Sequence, residues 1–335
     1  MATIQIENGP AFSCGPHDTI MRAAVRAGHG FPYECNAGSC GNCRFELLEG
    51  AVHHHRADSP AYGERDQRRN RWLGCQALPE SDCRIKVRLD AHYESTYPPR
   101  KLAAELVDIA PITHDISEFT FRVVEAQQAL PGQYALVKLP GMDAPRAYSM
   151  CEVSDDGLTW AFQIKSVPNG KASAVLARLH PGALVDIDGP YGMAYLREDA
   201  DRDILCVAGG SGLSPMISVA RAAARSSALA GRAIHFLYGG RMMRDLCGEP
   251  MLQALPGYGE RIHYHPVLSA QPLDGAETWT GRQGFVHEAA AELFGERLKD
   301  MEVYFAGPPP MAEAIKRMLH DNAVPQGQVH FDEFY

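Results

Sequence analysis

The stretch Tyr33-Glu34-Cys35-Asn36-Ala37-Gly38-Ser39-Cys40-Gly41-Asn42-Cys43, answered downstream by Leu73-Gly74-Cys75-Gln76, decides how this chain is read. Its spacing is C-x4-C-x2-C with a fourth cysteine far along the chain. Four thiolates so spaced hold one [2Fe-2S] cluster, which needs three sulfurs from one tight loop and a fourth from elsewhere. Gly38, Ser39 and Gly41 keep the loop slim, so that backbone N–H groups can approach the sulfur atoms. A structural zinc would more often bring two C-x2-4-C pairs, whereas Cys75 stands alone. Disulfides would have to bridge cysteines crowded among glycines, which is poor bridge geometry. Cys35, Cys40, Cys43 and Cys75 are therefore taken as cluster ligands.

Outward from this loop, Ile4 and Ile6 alternate with polar residues, and Asn8-Gly9 is a hairpin signal before Phe12 and Cys14. Asp18 reads as the N-cap of a helix over residues 19–27, closed by Gly28. Residues 44–48 and 84–89 read as further strands. Hairpin, helix and cysteine loop follow the β-grasp order. His53, His54 and His55 sit in a charged segment and read as a solvated loop rather than a metal site.

The chain has 335 residues, 45% hydrophobic and 22% charged, which suggests two or three globular domains. A net charge of −9 argues against nucleic acid and is compatible with docking on a basic protein surface. The start shows no signal-peptide pattern, and no run of about 18 apolar residues suggests a membrane span. Nine cysteines exceed the four of the cluster. Cys14, Cys83, Cys151, Cys206 and Cys247 read as reduced, partly buried thiols of a cytoplasmic protein.

Residues 92–100 end in Pro98-Pro99-Arg100 and form a linker. Beyond it, short strands at residues 102–107, 116–123 and 134–139, punctuated by Pro-Gly pairs, predict a small antiparallel barrel. Arg146-Ala147-Tyr148-Ser149 is followed by Pro168-Asn169-Gly170-Lys171-Ala172-Ser173 and then Gly189-Pro190-Tyr191-Gly192. A flavin diphosphate needs a cation, a flat aromatic and free amides at a helix N-terminus, and Arg146, Tyr148 and the Gly170–Ser173 turn offer them. From Asp203 the apolar run 204–208 opens into Gly209-Gly210-Ser211-Gly212-Leu213-Ser214-Pro215 and a helix at 216–224, a phosphate-cradling arrangement. Strands at 233–238 and 301–306 also end in glycine turns, which predicts a doubly wound nucleotide domain. No acidic residue directly ends the 233–238 strand, while Arg241 and Arg244 lie just beyond it.

The whole chain resembles the reductase components of bacterial multicomponent oxygenases. The 31 residues between Cys43 and Cys75, the lead-in Phe31-Pro32-Tyr33-Glu34-Cys35 and the ending His330-Phe331-Asp332-Glu333-Phe334-Tyr335 look closest to toluene monooxygenase reductases, with phenol hydroxylase reductases near. Thr113-His114-Asp115-Ile116 and Arg146-Ala147-Tyr148-Ser149-Met150 also look like naphthalene dioxygenase reductase. The resemblance implies an α+β and α/β multidomain chain. Residues 1–95 would be a β-grasp plant-type ferredoxin, 99–198 an antiparallel β-barrel FAD domain, and 199–335 a doubly wound α/β NAD(P) domain.

By the same resemblance, Arg146 would bind the FAD pyrophosphate with Gly170 and Ser173. Tyr148 would pack on one flavin face and Ser149 would sit near flavin N5. Gly210, Gly212 and Pro215 would shape the nicotinamide nucleotide site, with Tyr238 and Arg241 near its adenosine half. Phe334 would cover the other flavin face, making Ser149 and Phe334 the catalytic pair. Ala306 stands where the family commonly has cysteine, which alters the nicotinamide contact. The implied reaction carries a hydride from NADH, with NADPH as an alternative, to FAD. Single electrons then pass through [2Fe-2S] to the hydroxylase component of a diiron monooxygenase of aromatic hydrocarbon catabolism or to an intermediary Rieske ferredoxin. A dioxygenase reductase, a stand-alone NADH:acceptor dehydrogenase and a non-enzymatic iron–sulfur sensor are the other readings. A monomer is expected.

Overall fold

A computed structural model describes residues 1–56, 58–270 and 279–333. Its packing divides the chain into two compact units, residues 1–101 with 188–193, and residues 102–187 with 194–333.

The first unit holds strands β1 (Ala2–Ile6), β2 (Ala11–Cys14), β3 (Arg44–Glu49), β4 (Val52–His54), β5 (Arg71–Leu73), β6 (Ala77–Pro79) and β7 (Cys83–Lys86), with helices α1 (Ile20–Arg26) and α2 (Glu64–Arg68). Five strands form one sheet in the order β2-β1-β7-β3-β5, while β4 and β6 pair separately. The parallel β1–β7 pair beside the antiparallel β1–β2 hairpin is the β-grasp arrangement. Alternation puts Ile4 and Ile6 inside with Phe12, Ile20, Ala24 and Phe31, all buried.

Two local expectations are corrected here. The N-cap position falls on Thr19, with no side-chain cap, because the buried Asp18 carboxylate is drawn to cations: Arg26 at 3.3 Å and Lys101 at 3.5 Å. The histidine run is not a solvated loop. His53 and His54 lie in β4, and the His54 ring packs 4.0 Å from Tyr62 and 5.1 Å from Trp72 between centroids. Its Nε2 accepts from the Leu73 amide at 3.1 Å. The residues predicted as a linker contain a short 3-10 turn at Ala91–Tyr93. Arg26 secures this stretch by donating to the Pro99 carbonyl at 2.7 Å, and its fork also meets Asp188 at 3.0 and 3.1 Å.

The second unit begins with a closed barrel in the order β10-β11-β12-β9-β8-β13. Its strands are β8 (Arg100–Pro111), β9 (Ile116–Val123), β10 (Tyr134–Lys138), β11 (Arg146–Val153), β12 (Thr159–Lys165) and β13 (Leu184–Tyr191), with α3 (Lys171–Leu176) between the last two. Trp160, Phe121 and Phe162 fill the barrel. A six-stranded parallel sheet follows, ordered β17-β16-β15-β14-β18-β19. It comprises β14 (Asp203–Gly209), β15 (Ile234–Gly240), β16 (Ile262–Leu268), β17 (Arg282–Gln283), β18 (Met301–Gly307) and β19 (Val329–Glu333). Helices α4 (Leu213–Arg225) and α5 (Glu249–Gln253) contribute to one core, while α6 (Val286–Phe294) and α7 (Pro309–Asp321) contribute to a second. The central β14 and β18 are buried nearly throughout, which explains their uninterrupted apolar runs. This is the doubly wound α/β arrangement expected. No helix among the described residues is long and apolar enough to cross a membrane.

Candidate functional site

In the first unit the cysteine loop folds around its own sulfur atoms. The amides of Ala37, Ser39 and Cys40 donate to Cys35 Sγ at 3.4, 3.4 and 3.3 Å. Cys75 N donates to Cys43 Sγ at 3.5 Å, and the buried Gln76 side chain donates to Cys75 Sγ at 3.6 Å. Among the described residues no group of three or more His, Cys, Asp or Glu side chains is placed to hold a metal ion. Backbone amides associate the four cysteines in two pairs, Cys40 N donating to Cys35 Sγ and Cys75 N to Cys43 Sγ. Two thiolates per iron is what a [2Fe-2S] group requires. The Cys40 thiol and the loop amides of Ala37, Cys40 and Ser39 pull the Cys35 thiol below its ordinary value, while the same thiol pairing and burial push Cys40 up. Gly38 is needed at φ +82°, where an added Cβ would lie 2.7 Å from Ser59 Oγ. The residues present thus fit the cluster. Gln76, which no spacing rule marks, joins the sulfur cage simply by following the fourth cysteine.

In the second unit three stretches meet. The antiparallel β11–β12 pairing puts the start of β11, with Arg146 and Tyr148, beside the end of β12 and the turn into α3. Arg146 is exposed and donates to the Ala144 and Pro145 carbonyls at 3.3 and 3.2 Å. Among the described residues no carboxylate pairs with it, leaving its charge available to an anion. Tyr148 packs against the barrel core, and burial pushes its hydroxyl up to about 12. Gly170 precedes α3, and Ser173 Oγ accepts from the Val167 amide at 2.8 Å, closing the turn. An exposed cation, a flat ring and the first-turn amides of a helix, which lack intrahelical partners, are a donor set that fits a flavin diphosphate.

The glycine turn after β14 adjoins the same barrel end: a Cβ on Gly210 would lie 3.6 Å from Lys165 Cδ. Ser149 is buried, and its carbonyl accepts from Ser214 Oγ at 2.6 Å. The same Oγ accepts from the Gln163 amide at 3.2 Å. One hydroxyl in the first turn of α4 thereby links β11 and β12 to the glycine turn. Gly212 has no space for a side chain, because a Cβ would fall on the Ala306 carbonyl oxygen. Pro215 is buried in the first turn of α4.

Tyr238 is nearly fully buried, and its hydroxyl donates to the Gly210 carbonyl at 3.1 Å, bracing the turn from beneath. Arg241 is exposed just beyond β15. Ala306 is fully buried at the end of β18. Phe334 lies outside the described residues; β19 carries the chain to Glu333, paired with Gly307.

Two neighbours escape a reading by motif. The chain turns after β15 so that Asp245 Oδ2 accepts from the Arg241 and Met242 amides at 3.1 and 2.9 Å, bringing an acid to a strand end that has none in sequence. The Met311 thioether lies in the space beside both Gly209 and Gly307.

Comparison with known proteins agrees with this division of labour. A 2Fe-2S iron-sulfur cluster binding domain matches residues 5–80, an oxidoreductase FAD-binding domain residues 103–195, and an oxidoreductase NAD-binding domain residues 206–317. The chain is 37% identical to the ferredoxin–NAD(P)(+) reductase CarAd of Metapseudomonas resinovorans, over all of both chains. It is 36% identical to the ferredoxin–NAD(+) reductase component of the alkene monooxygenase system of Xanthobacter autotrophicus, over 99% of this chain and 100% of that one. Among solved structures, the ferredoxin reductase in carbazole 1,9a-dioxygenase superposes with a TM-score of 0.92 at 34% identity, over 99% of this chain and 98% of that one. The chain belongs to the family of ferredoxin–NAD(P)(+) reductase components of multicomponent oxygenases, enzymes with [2Fe-2S], FAD and NAD-binding domains.

Proposed function

We propose that this protein takes electrons from NADH and delivers them singly to the hydroxylase component of a diiron monooxygenase or to an intermediary ferredoxin. The observation that carries the reading is the Ser214 hydroxyl, which binds the Ser149 carbonyl and so couples the flavin-type strand to the nucleotide-type helix. Bound FAD would supply hydride-accepting chemistry, and a [2Fe-2S] group held by Cys35, Cys40, Cys43 and Cys75 would supply one-electron transfer.

The chain's own residues supply binding and orientation. Arg146, Gly170 and Ser173 would hold the flavin pyrophosphate, Tyr148 would pack on the flavin, and Ser149 would line its reactive edge. Gly210, Gly212 and Pro215 let the nicotinamide nucleotide approach the backbone, with Tyr238 bracing Gly210. Arg241 lies at the adenosine end. Asp245, beside Arg241, favours NADH, since its negative charge opposes a 2′-phosphate.

A dioxygenase partner is the second reading, favoured by the likeness to the carbazole 1,9a-dioxygenase reductase. NADH-driven turnover with a purified diiron hydroxylase component and with a Rieske ferredoxin separates the two. Turnover of a diiron hydroxylase, directly or through the Rieske ferredoxin, supports the first reading, and turnover of a Rieske-type dioxygenase alone supports the second. Reduction of quinones or dyes but neither protein would indicate a self-contained dehydrogenase.

A further inference from the structure

Asn36 follows the first cluster cysteine, takes the left-handed backbone conformation (φ 53°), and is only 3% exposed. Arg22, on α1, donates from Nε to Asn36 Oδ1 at 2.8 Å and from Nη2 to the Asn36 carbonyl at 3.3 Å. A guanidinium can only donate, so the amide edge facing Arg22 must be the oxygen. That fixes the orientation of the side chain and puts Nδ2 on the opposite edge. Asn36 Nδ2 is buried and has no hydrogen-bond partner among the described residues. A buried amide donor without an acceptor is costly, and native structures rarely leave one so. The next donors along the same loop, the amides of Ala37, Ser39 and Cys40, all turn to Cys35 Sγ.

We infer that Asn36 Nδ2 donates to a sulfur atom of the [2Fe-2S] group, and that Arg22 is the positioning residue presenting it. The inference rests on the reading of Cys35, Cys40, Cys43 and Cys75 as cluster ligands. A donor to sulfur stabilises the more negative, reduced group more than the oxidised one and so raises the reduction potential. The half-buried Arg22 charge acts in the same direction. Asn36 therefore helps set how readily electrons arriving from the flavin are accepted.

The test is an EPR-monitored redox titration of the full-length protein carrying FAD and cluster. Asn36→Gly keeps the left-handed backbone accessible and removes the donor. It is expected to retain full iron and sulfide, with one-electron reduction about tenfold less favourable, a midpoint lower by about 59 mV. Asn36→Asp, which replaces the donor by an anion, is expected to lower the midpoint further. Arg22→Gln is expected to lower it, and Arg22→Lys to restore part of the loss. A fully loaded Asn36→Gly protein with an unmoved midpoint would overturn the inference and assign Nδ2 to a buried water.

If the glycine variant fails to assemble its cluster, pulsed EPR of the reduced wild-type protein labelled with 15N in asparagine side chains decides. A coupling from an amide nitrogen supports the bond, and its absence overturns it. Wild-type protein lacking iron and acid-labile sulfide would instead overturn the cluster reading.

Discussion

Ser214 Oγ donates to the Ser149 carbonyl at 2.6 Å across the meeting of α4 with β11. Both groups are buried, and the same hydroxyl also accepts the Gln163 amide. Hydride transfer depends on sub-ångström placement of two reactants. Here one side chain registers the strand expected to line the flavin against the helix expected to carry the nucleotide. Ser214→Ala is predicted to cost about 1–3 kcal/mol of stability, because it leaves the Ser149 carbonyl and the Gln163 amide unpaired. It should also slow flavin reduction by NADH about ten- to a hundredfold at unchanged FAD content. Stopped-flow absorbance measures the rate and thermal unfolding the stability.

Gly212 has the Ala306 carbonyl where its Cβ would be. Gly212→Ala should displace the glycine turn at a cost of about 1–3 kcal/mol. Cluster and FAD content should stay at one per chain while NADH affinity falls, as a binding titration would reveal. Unchanged affinity would show that the turn does not approach the nucleotide.

Asp245 holds the turn after β15 through the Arg241 and Met242 amides. Removing its charge with Asp245→Asn should raise the NADPH-to-NADH ratio of kcat/KM about tenfold or more, since a like-charge clash on the 2′-phosphate is relieved. Steady-state kinetics with both nucleotides checks this.

Burial, then the neighbouring His265 and His263, hold His235 down at about 4 against its ordinary 6.5, with Arg297 also lowering it and Asp203 opposing. Because the folded value is depressed, the unfolded chain binds a proton that the folded chain does not between those two values. Its contribution to stability is complete above 6.5 and is lost as pH falls through about 4. His235→Phe should therefore gain apparent Tm relative to wild type as the pH is taken from about 7 to about 5. A constant difference would show that His235 titrates normally.

Elements with a clear period were legible before folding. The strand read at residues 116–123 is β9 to the residue, because alternation there reflects one buried barrel face. The cysteine spacing was equally plain, since backbone geometry dictates its residue types, whereas the glycine turn after β14 is shorter than its motif suggests, because α4 already starts at Leu213. What sequence could not convey depends on long-range packing. Ser214 meets Ser149 across 65 positions. Asp245 returns to a strand end through a turn with no signature. Arg22 meets Asn36 from a helix whose pattern shows only its apolar face. His54 reads as a solvated polar residue because the aromatic wall of Tyr62 and Trp72 comes from positions 8 and 18 residues further along the chain.

Anaerobic titration of the purified protein with NADH, followed by absorbance between about 400 and 600 nm, tests the central claim most directly. One FAD and one [2Fe-2S] group per chain predict bleaching of both flavin and iron–sulfur bands, complete at about three electrons per chain. Iron and acid-labile sulfide should each be present at about two per chain. Bleaching complete at about two electrons, with zinc in place of iron and sulfide, would contradict the account.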